Sequence, residues 1–281
     1  MTARTQVTDA RRIVVKVGSS SVSGENAGQI GFLVDVLAAV HARGVEVVLV
    51  SSGAIATAIP FLELAGRPSD LATQQAAAAV GQNILINRYQ QSLRRHSIVA
   101  GQVLLTAGDL ENPTHRSNAA RAMDRLLGLR ILPIVNENDT VATHEIRFGD
   151  NDRLAALVAE LIGAELLVLL SDVDALYTAP PGEPGAVRIA HVPYGDDLAG
   201  VRIGSIGVAG VGTGGAGTKV SAAQHAAAHG TPVLLTSTAL VGDALAGAPV
   251  GTWFDARPAP AAAAPPPADS SQLGRIEPSN R

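Results

Sequence analysis

The segment GVGTGGAGTKVSAAQHAAAHG, from Gly210 to Gly230, sets Thr213, Gly214, Gly215, Ala216, Gly217 and Thr218 directly ahead of Lys219. Glycines strip side chains from a loop, and its backbone N–H groups can then converge on an anion at the start of a helix. Lys219, on the first turn, can reach the same anion. A flexible glycine loop with a solvated lysine is the plain alternative; a lysine at the helix start favours phosphate. Two familiar nucleotide motifs fit badly. A Walker A loop needs Gly-Lys-Ser/Thr in direct succession, and Thr218 separates Gly217 from Lys219. Gly210, Gly212 and Gly215 satisfy G-x-G-x-x-G, but no strong strand pattern runs into them. No acidic residue ends the next strand-like run, TPVLLTS, so a nicotinamide site is a poor reading.

Other polar residues stand where apolar runs stop. Lys16 lies inside VVKVGSSS, and a lysine there is costly unless its ammonium meets an anion or carboxylate. Gly18 follows and would let a ligand approach the backbone. In LVSSGAIATAI, Ser52 either caps the coming helix or donates to a substrate carboxylate, with Gly53 exposing its N–H. Asn136 and Asp139 of VNENDTV offer an amide and an acid suited to an α-amino group, or form an Asx-type turn. Ser171 and Asp172 of SDVDALY face a nucleotide or merely make a turn. RFGDNDRLAAL carries Asp150, Asn151 and Asp152 in a row at a helix start, where one cap would suffice. His225 and His229 share a helix face at i, i+4; no third ligand is evident, so a solvated face and no metal site are expected. No Ser/His/Asp set and no G-x-S-x-G elbow is present.

These residues need a scaffold that gathers strand ends. Runs beginning at Arg12, Val45, Ile98, Arg130, Ala164 and Thr231 are short, β-branched and continuous, and read as strands buried on both faces. Helical stretches such as IGFLVDVLAAVHARG and RLAALVAELIGA lie between most of them. Alternation of this kind predicts a three-layer αβα sandwich around a mostly parallel sheet. Ligands of such sheets bind beyond the carboxyl ends of the strands. DTVATHEIRFGD alternates and lacks helix formers, which predicts a hairpin or extended loop. Residues 1–10 are expected to be flexible, 11–257 to form the domain, and 258–281, rich in Pro and Ala, to be a disordered tail.

Bulk properties limit the partners. The 281 residues are 47% hydrophobic, 16% charged and 3% aromatic, which suits a globular domain with an aliphatic core. A net charge of −4 without a basic stripe argues against nucleic acid. The absence of cysteine excludes disulfides, thiolate catalysis and Cys-ligated metals. No apolar run reaches the roughly 18 residues of a membrane span, and MTARTQVTDARR has no signal-peptide core. A cytoplasmic location is expected.

Taken in order, Lys16-x-Gly, Ser-Ser-Gly, Asn-Glu-Asn-Asp, Gly-Asp-Asn-Asp, Ser-Asp and Gly-Thr-Gly-Gly-x-x-x-Lys resemble the amino-acid kinase family from about Arg11 to Arg257. SSGAIA, VNENDTVATHEIRFGDNDRLAAL and GTGGAGTK look like its glutamate 5-kinase branch. The resemblance implies ATP- and Mg²⁺-dependent phosphorylation of the γ-carboxylate of L-glutamate, the opening step of proline synthesis, with Mg²⁺ held mainly through the ATP phosphates. By position it implies that Lys16 and Lys219 hold the transferring phosphoryl group and that Asp152 orients them. It also implies glutamate at Ser52, Gly53, Asn136, Asp139, Asp150 and Asn151. ATP would lie at Lys16, Gly18, Ser171, Asp172 and from Thr213 to Lys219. Proline as feedback inhibitor and a homo-oligomer are further implications. A relative acting on another carboxylate, or an inactive ligand sensor, are the alternatives. The chain departs from the family pattern in a Pro/Ala tail where many bacterial members carry a PUA domain. Ala216-Gly217 stands where a methionine and a small residue are usual, and Ala175 where glycine is usual.

Overall fold

Six apolar runs become parallel strands of one sheet. The computed structural model describes residues 3–141, 151–202 and 215–258. The chain opens with α1 (Ala3–Asp9), β1 (Arg12–Val17), α2 (Gln29–Ala42) and β2 (Glu46–Ser51). It continues through α3 (Ala54–Ala58), α4 (Leu71–Arg94), β3 (Ala100–Leu105), α5 (Ala107–Glu111), α6 (Pro113–Gly128) and β4 (Leu132–Glu137). Then come α7 (Asn151–Leu161), β5 (Leu166–Ser171) and the short strands β6 (Leu176–Tyr177), β7 (Arg188–Ile189) and β8 (His191–Val192). α8 (Ala216–Ala228), β9 (Val233–Ser237), α9 (Val241–Leu245) and β10 (Thr252–Phe254) complete the described part.

The main sheet runs β3-β4-β2-β1-β5-β9-β10-β8. All its pairings are parallel except that of β10 with β9. From β1 the chain passes to β2 on one side and only later returns to β5 on the other. The strand order therefore reverses at β1, and a crevice opens there beyond the carboxyl ends. Lys16 pairs in register with Val50 of β2 and Leu169 of β5, so it stands at that reversal.

Strand alternation decides which layer each side chain joins. Ile13, Val15 and Val17 face a core shared with α2, α4 and α9. Val14 faces the opposite core, with Leu154, Ala155 and Val158 of α7 and Val220, Ala223 and Ala226 of α8. Lys16, two residues after Val14, shares the α7–α8 side. Burying each of Leu154 and Val158 contributes about 1.5–3 kcal/mol, which seats α7 firmly on β1.

Local signals set the helix boundaries. Asp70 caps α4 by accepting from Thr73 N–H at 2.8 Å, and Asn112 caps α6 ahead of Pro113. Thr106 and Asp109 form a capping box on α5.

One expectation changes. β3 is only partly buried, because it is the edge strand of the sheet and has one neighbour, β4. Ala3–Asp9 form α1, and Val7 and Ala10 are buried. The short strands β6, β7, β8 and β10 escape the sequence reading, since two or three residues carry no periodicity. The hairpin expected over DTVATHEIRFGD falls almost wholly outside the described residues, as does the tail from 259.

Candidate active site

Three charged side chains from three elements meet on the α7–α8 side of β1. Lys16 Nζ lies 2.5 Å from Asp152 Oδ1, and Lys219 Nζ lies 3.0 Å from Asp152 Oδ2. Asp152 is wholly buried, Lys16 is 2% exposed and Lys219 9%. Thr218 Oγ1 accepts from Gly215 N–H and has two acceptors for its one proton, the Gly215 carbonyl at 2.9 Å and the same Oδ2 at 3.2 Å, which sets the first turn of α8 against the acid. Asp152 sits in the first turn of α7, where the helix dipole favours a carboxylate. Taking three ions out of water is expensive, and only close pairing offsets it. Two ammonium groups against one carboxylate leave a positive charge in excess, fixed in place and poorly hydrated. Such a cluster can attract and hold an anion whose charge shifts during a reaction.

A chain of amides fixes the neighbouring strand ends. Asn151 Nδ2 donates to the Ser51 carbonyl and to Asn136 Oδ1, both at 2.7 Å. Asn136 Oδ1 also accepts from Glu137 N–H at 2.9 Å, and Asn136 Nδ2 donates to Gln82 Oε1 at 2.6 Å. The reading that turns Asn151 to substrate thus meets an amide nitrogen whose two hydrogens serve the protein. Ser51 Oγ lies 2.9 Å from the Tyr89 hydroxyl. Burial pushes the Tyr89 pKa well up, against a smaller lowering by Ser51, so the phenol stays protonated.

The turn after β2 depends on glycine. Gly53 has φ +97°, and a Cβ there would come within 3.3 Å of the Ser19 Cα. Gly53, not Ser52, is the N-cap residue of α3, and no side chain caps that helix. Of the two readings of Ser52, capping is therefore excluded, and Ser52 lines the cleft. On the opposite wall Asp172 accepts from Ser20 Oγ at 3.0 Å and from Ser21 Oγ at 3.5 Å, while Thr238 donates to Ser21 Oγ. Ser171 Oγ accepts from Val173 N–H at 3.4 Å, so this serine does shape a turn.

One cleft brings together Lys16, Gly18, Ser52, Gly53, Asn136, Asp139, Asn151, Ser171, Asp172, Gly215, Ala216 and Lys219. Asp152 and Thr218 stand behind Lys219. Gly217 is exposed and does not line the cleft. α8 begins at Ala216, so residues 216–219 form a helical turn rather than the end of a loop. Asp150, Thr213 and Gly214 lie outside the described residues. The cleft also holds residues that the sequence did not single out: Glu137, buried at the end of β4, Ser20, Ser21, and the exposed Arg67 on the rim. Gln82 is a further one, and its partnership across 54 positions has no signal in the sequence.

The family model described as the amino acid kinase family matches residues 11–237. A glutamate 5-kinase of Leifsonia xyli subsp. xyli is 74% identical over 251 residues, which is 89% of this chain and 93% of that protein. A glutamate 5-kinase of Clavibacter sepedonicus is 74% identical over 255 residues, covering 91% of this chain and 98% of the relative. The Streptomyces coelicolor glutamate 5-kinase, at 58% identity, is matched over 69% of its own length and 90% of this chain. Among solved structures, the carbamate kinase of Giardia lamblia bound to AMP-PNP superposes with a TM-score of 0.65 at 17% identity. That superposition covers 89% of this chain and all of that one, a likeness of fold.

Proposed function

The chain belongs to the amino acid kinase family, among its glutamate 5-kinases, and from that premise we propose that it transfers the γ-phosphoryl group of ATP to the γ-carboxylate of L-glutamate. The products are L-glutamyl 5-phosphate and ADP, and the step opens proline biosynthesis. The observation that carries this reading is the buried contact of Lys16 and Lys219 with one shared carboxylate, Asp152.

The chemistry asks little of a base. A γ-carboxylate is ionised at neutral pH. Its oxygen forms the new P–O bond as the bond from γ-phosphorus to the bridging oxygen breaks, and the electron pair leaves with the β-phosphate. No proton has to move. The difficulty is that negative carboxylate meets negative phosphate in line. Lys16 and Lys219 lower that repulsion, and Asp152 keeps their ammonium groups in register, so that little reorganisation accompanies charge transfer.

The strand ends divide the substrates. Ser52, Gly53, Asn136, Asp139, Asp150 and Asn151 form the glutamate side. Asn151 acts there in part by holding the Ser51–Ser52 turn and the Asn136 amide. Asp139 and Asp150 suit a substrate with a free ammonium, which disfavours an acetylated amino acid. Gly18, Ser171, Asp172, Thr213, Gly214, Gly215, Ala216 and Lys219 form the ATP side, with Thr218 supporting Lys219 from behind and Gly217 turned out of the cleft. Mg²⁺ fits as a companion of the nucleotide. Both Asp152 oxygens serve lysines, Asp172 accepts from serines, and the described residues group no three carboxylates in the cleft. An ion that keeps several waters is commonly held by substrate phosphates, and there it would neutralise phosphate charge.

Inhibition by proline near the glutamate side and assembly into a homo-oligomer complete the proposal. So does a cytoplasmic setting; no helix among the described residues is long and apolar enough to cross a membrane. The test is trapping of the acyl phosphate with hydroxylamine, using Mg·ATP and a panel of acids. Glutamate should give hydroxamate, and N-acetylglutamate and aspartate little or none. Lys219→Ala should lower kcat on the order of 10²- to 10³-fold, by analogy with lost transition-state donors. Binding of both substrates in calorimetry with no hydroxamate formed would leave an inactive sensor instead.

A further inference from the structure

Away from the cleft, the far ends of α7 and α8 bring three metal-ligating side chains together. The sequence offers only His225 and His229, one turn apart on α8. The tertiary structure adds Glu160 from α7, and one ligand atom from each of the three lies within 4.8 Å of the others. Glu160 Oε2 is 3.3 Å from His225 Nε2 and 3.8 Å from His229 Nε2. A tetrahedral zinc ion with bonds near 2.0–2.1 Å spaces its ligand atoms about 3.4 Å apart. Two edges of that figure are nearly formed.

The surroundings orient the set. His229 Nδ1 lies 2.8 Å from the His225 carbonyl oxygen. A carbonyl only accepts, so Nδ1 carries the proton, and a neutral His229 keeps its lone pair on Nε2. That lone pair faces the Glu160 carboxylate, which is also an acceptor. Two acceptors turned towards each other are bridged either by a proton on Nε2 or by a metal cation, and the third donor, His225, gives a metal its further ligand. The remaining Glu160 oxygen, Oε1, is held by Arg116 of α6 at 2.8 Å, which aims Oε2 at the histidines. Support of this kind is what tunes a metal ligand. Elsewhere among the described residues, His96–Asp35, His115–Asp109 and His191–Asp255 offer two donors each.

We propose that Glu160, His225 and His229 form a three-ligand site for a borderline divalent cation of the Zn²⁺ class, with water completing the shell. Two imidazoles and one carboxylate suit Zn²⁺, Ni²⁺ or Cu²⁺, and not Mg²⁺ or Ca²⁺, which prefer oxygen. The ion would clamp α7 to α8, the two helices whose first turns carry Asp152 and Lys219. Glu160 stands eight residues after Asp152, about 12 Å along the helix, so the clamp acts on stability and touches no reacting atom.

The full chain, stripped with EDTA and dialysed, is titrated with ZnCl₂ by calorimetry and melted with and without the ion. One site per chain is expected, with a melting midpoint raised by about 5 °C at a hundredfold excess over the dissociation constant. MgCl₂ should give no shift. His225→Ala and His229→Ala should each weaken Zn²⁺ binding at least about tenfold and abolish the shift. With Mg·ATP as substrate and no Zn²⁺ added, kcat of both variants should stay unchanged, and His115→Ala should behave as the parent. His229 is the C-cap residue of α8 and its side chain is 43% exposed, so truncation removes little buried contact and this variant folds. Equal Zn²⁺ binding by the parent and by a variant carrying both His225→Ala and His229→Ala, or no melting shift in the parent at millimolar Zn²⁺, would overturn the proposal.

Discussion

Gln82 illustrates how a residue remote in sequence enters the site. Its Oε1 is the acceptor that holds Asn136 in one of two possible amide orientations. In the other, Asn136 would turn an NH₂ group at Asn151 Nδ2 and at Glu137 N–H, donor against donor. Gln82→Leu removes the acceptor and leaves Asn136 Nδ2 buried without it, at a cost of about 1–3 kcal/mol. The expected result is a rise of about tenfold in KM for glutamate, with little change in KM for ATP; Gln82→Glu, which keeps the acceptor, should restore most of the loss. Steady-state kinetics with each substrate varied in turn decides this, and equal effects on both KM values would mean a general structural defect. Lys16 shows the converse case, a residue legible at once. A lysine in an apolar run must find an anion, and Asp152 is that anion. Its partner came only through the family resemblance, which implied Asp152; nothing in sequence spacing links position 16 to position 152.

At the level of elements, the crossing of α3 and α4 governs the glutamate side. Gly81 lies in the middle of α4, and a Cβ there would collide with the Ala54 backbone carbonyl of α3. In an exposed helix interior, Gly→Ala should stabilise by about 1 kcal/mol. Here the sign reverses, since backbone blocks backbone and neither helix can yield without shifting the turn at Ser52 and Gly53. Gly81→Ala should lower stability by more than about 1 kcal/mol and weaken glutamate binding. Urea denaturation and glutamate kinetics test the pair, and a stabilised, fully active variant would refute the close crossing. Helix pattern alone marks Gly81 as a weak spot in a helix and says nothing of its neighbour. The strands were legible because a buried parallel strand needs a continuous β-branched run. β3 was overread as fully buried, since an edge strand carries the same run and only sheet order distinguishes it.

At the scale of the whole molecule, the proposal extends to regulation and assembly. Proline should raise the apparent KM for glutamate, because it is proposed to act near the glutamate side, beside the segment that begins at Thr140. If saturating proline leaves that KM untouched, inhibition at this place is wrong. Phe61 and Leu62, adjacent and exposed after α3, are apolar residues available to a contact between copies. Sedimentation should therefore report a mass that is a multiple of the 28.6 kDa chain; a single 28.6 kDa species at working concentration would exclude the oligomer.

The sequence by itself determined the class of fold, most of the sheet's strands and the polar residues at their carboxyl ends. The reason is local: burial on two faces selects β-branched runs, chain turns select glycine and small polar residues, and a lysine in such a run is too costly to be idle. Only the tertiary structure decided who meets whom. It fixed the distances and the burial of the Lys16–Asp152–Lys219 contact that the family resemblance had implied, set Gln82 behind Asn136 and carried Glu160 to the two histidines. Contacts across tens or hundreds of positions depend on strand order and on which face of β1 each helix covers, and no local pattern encodes either.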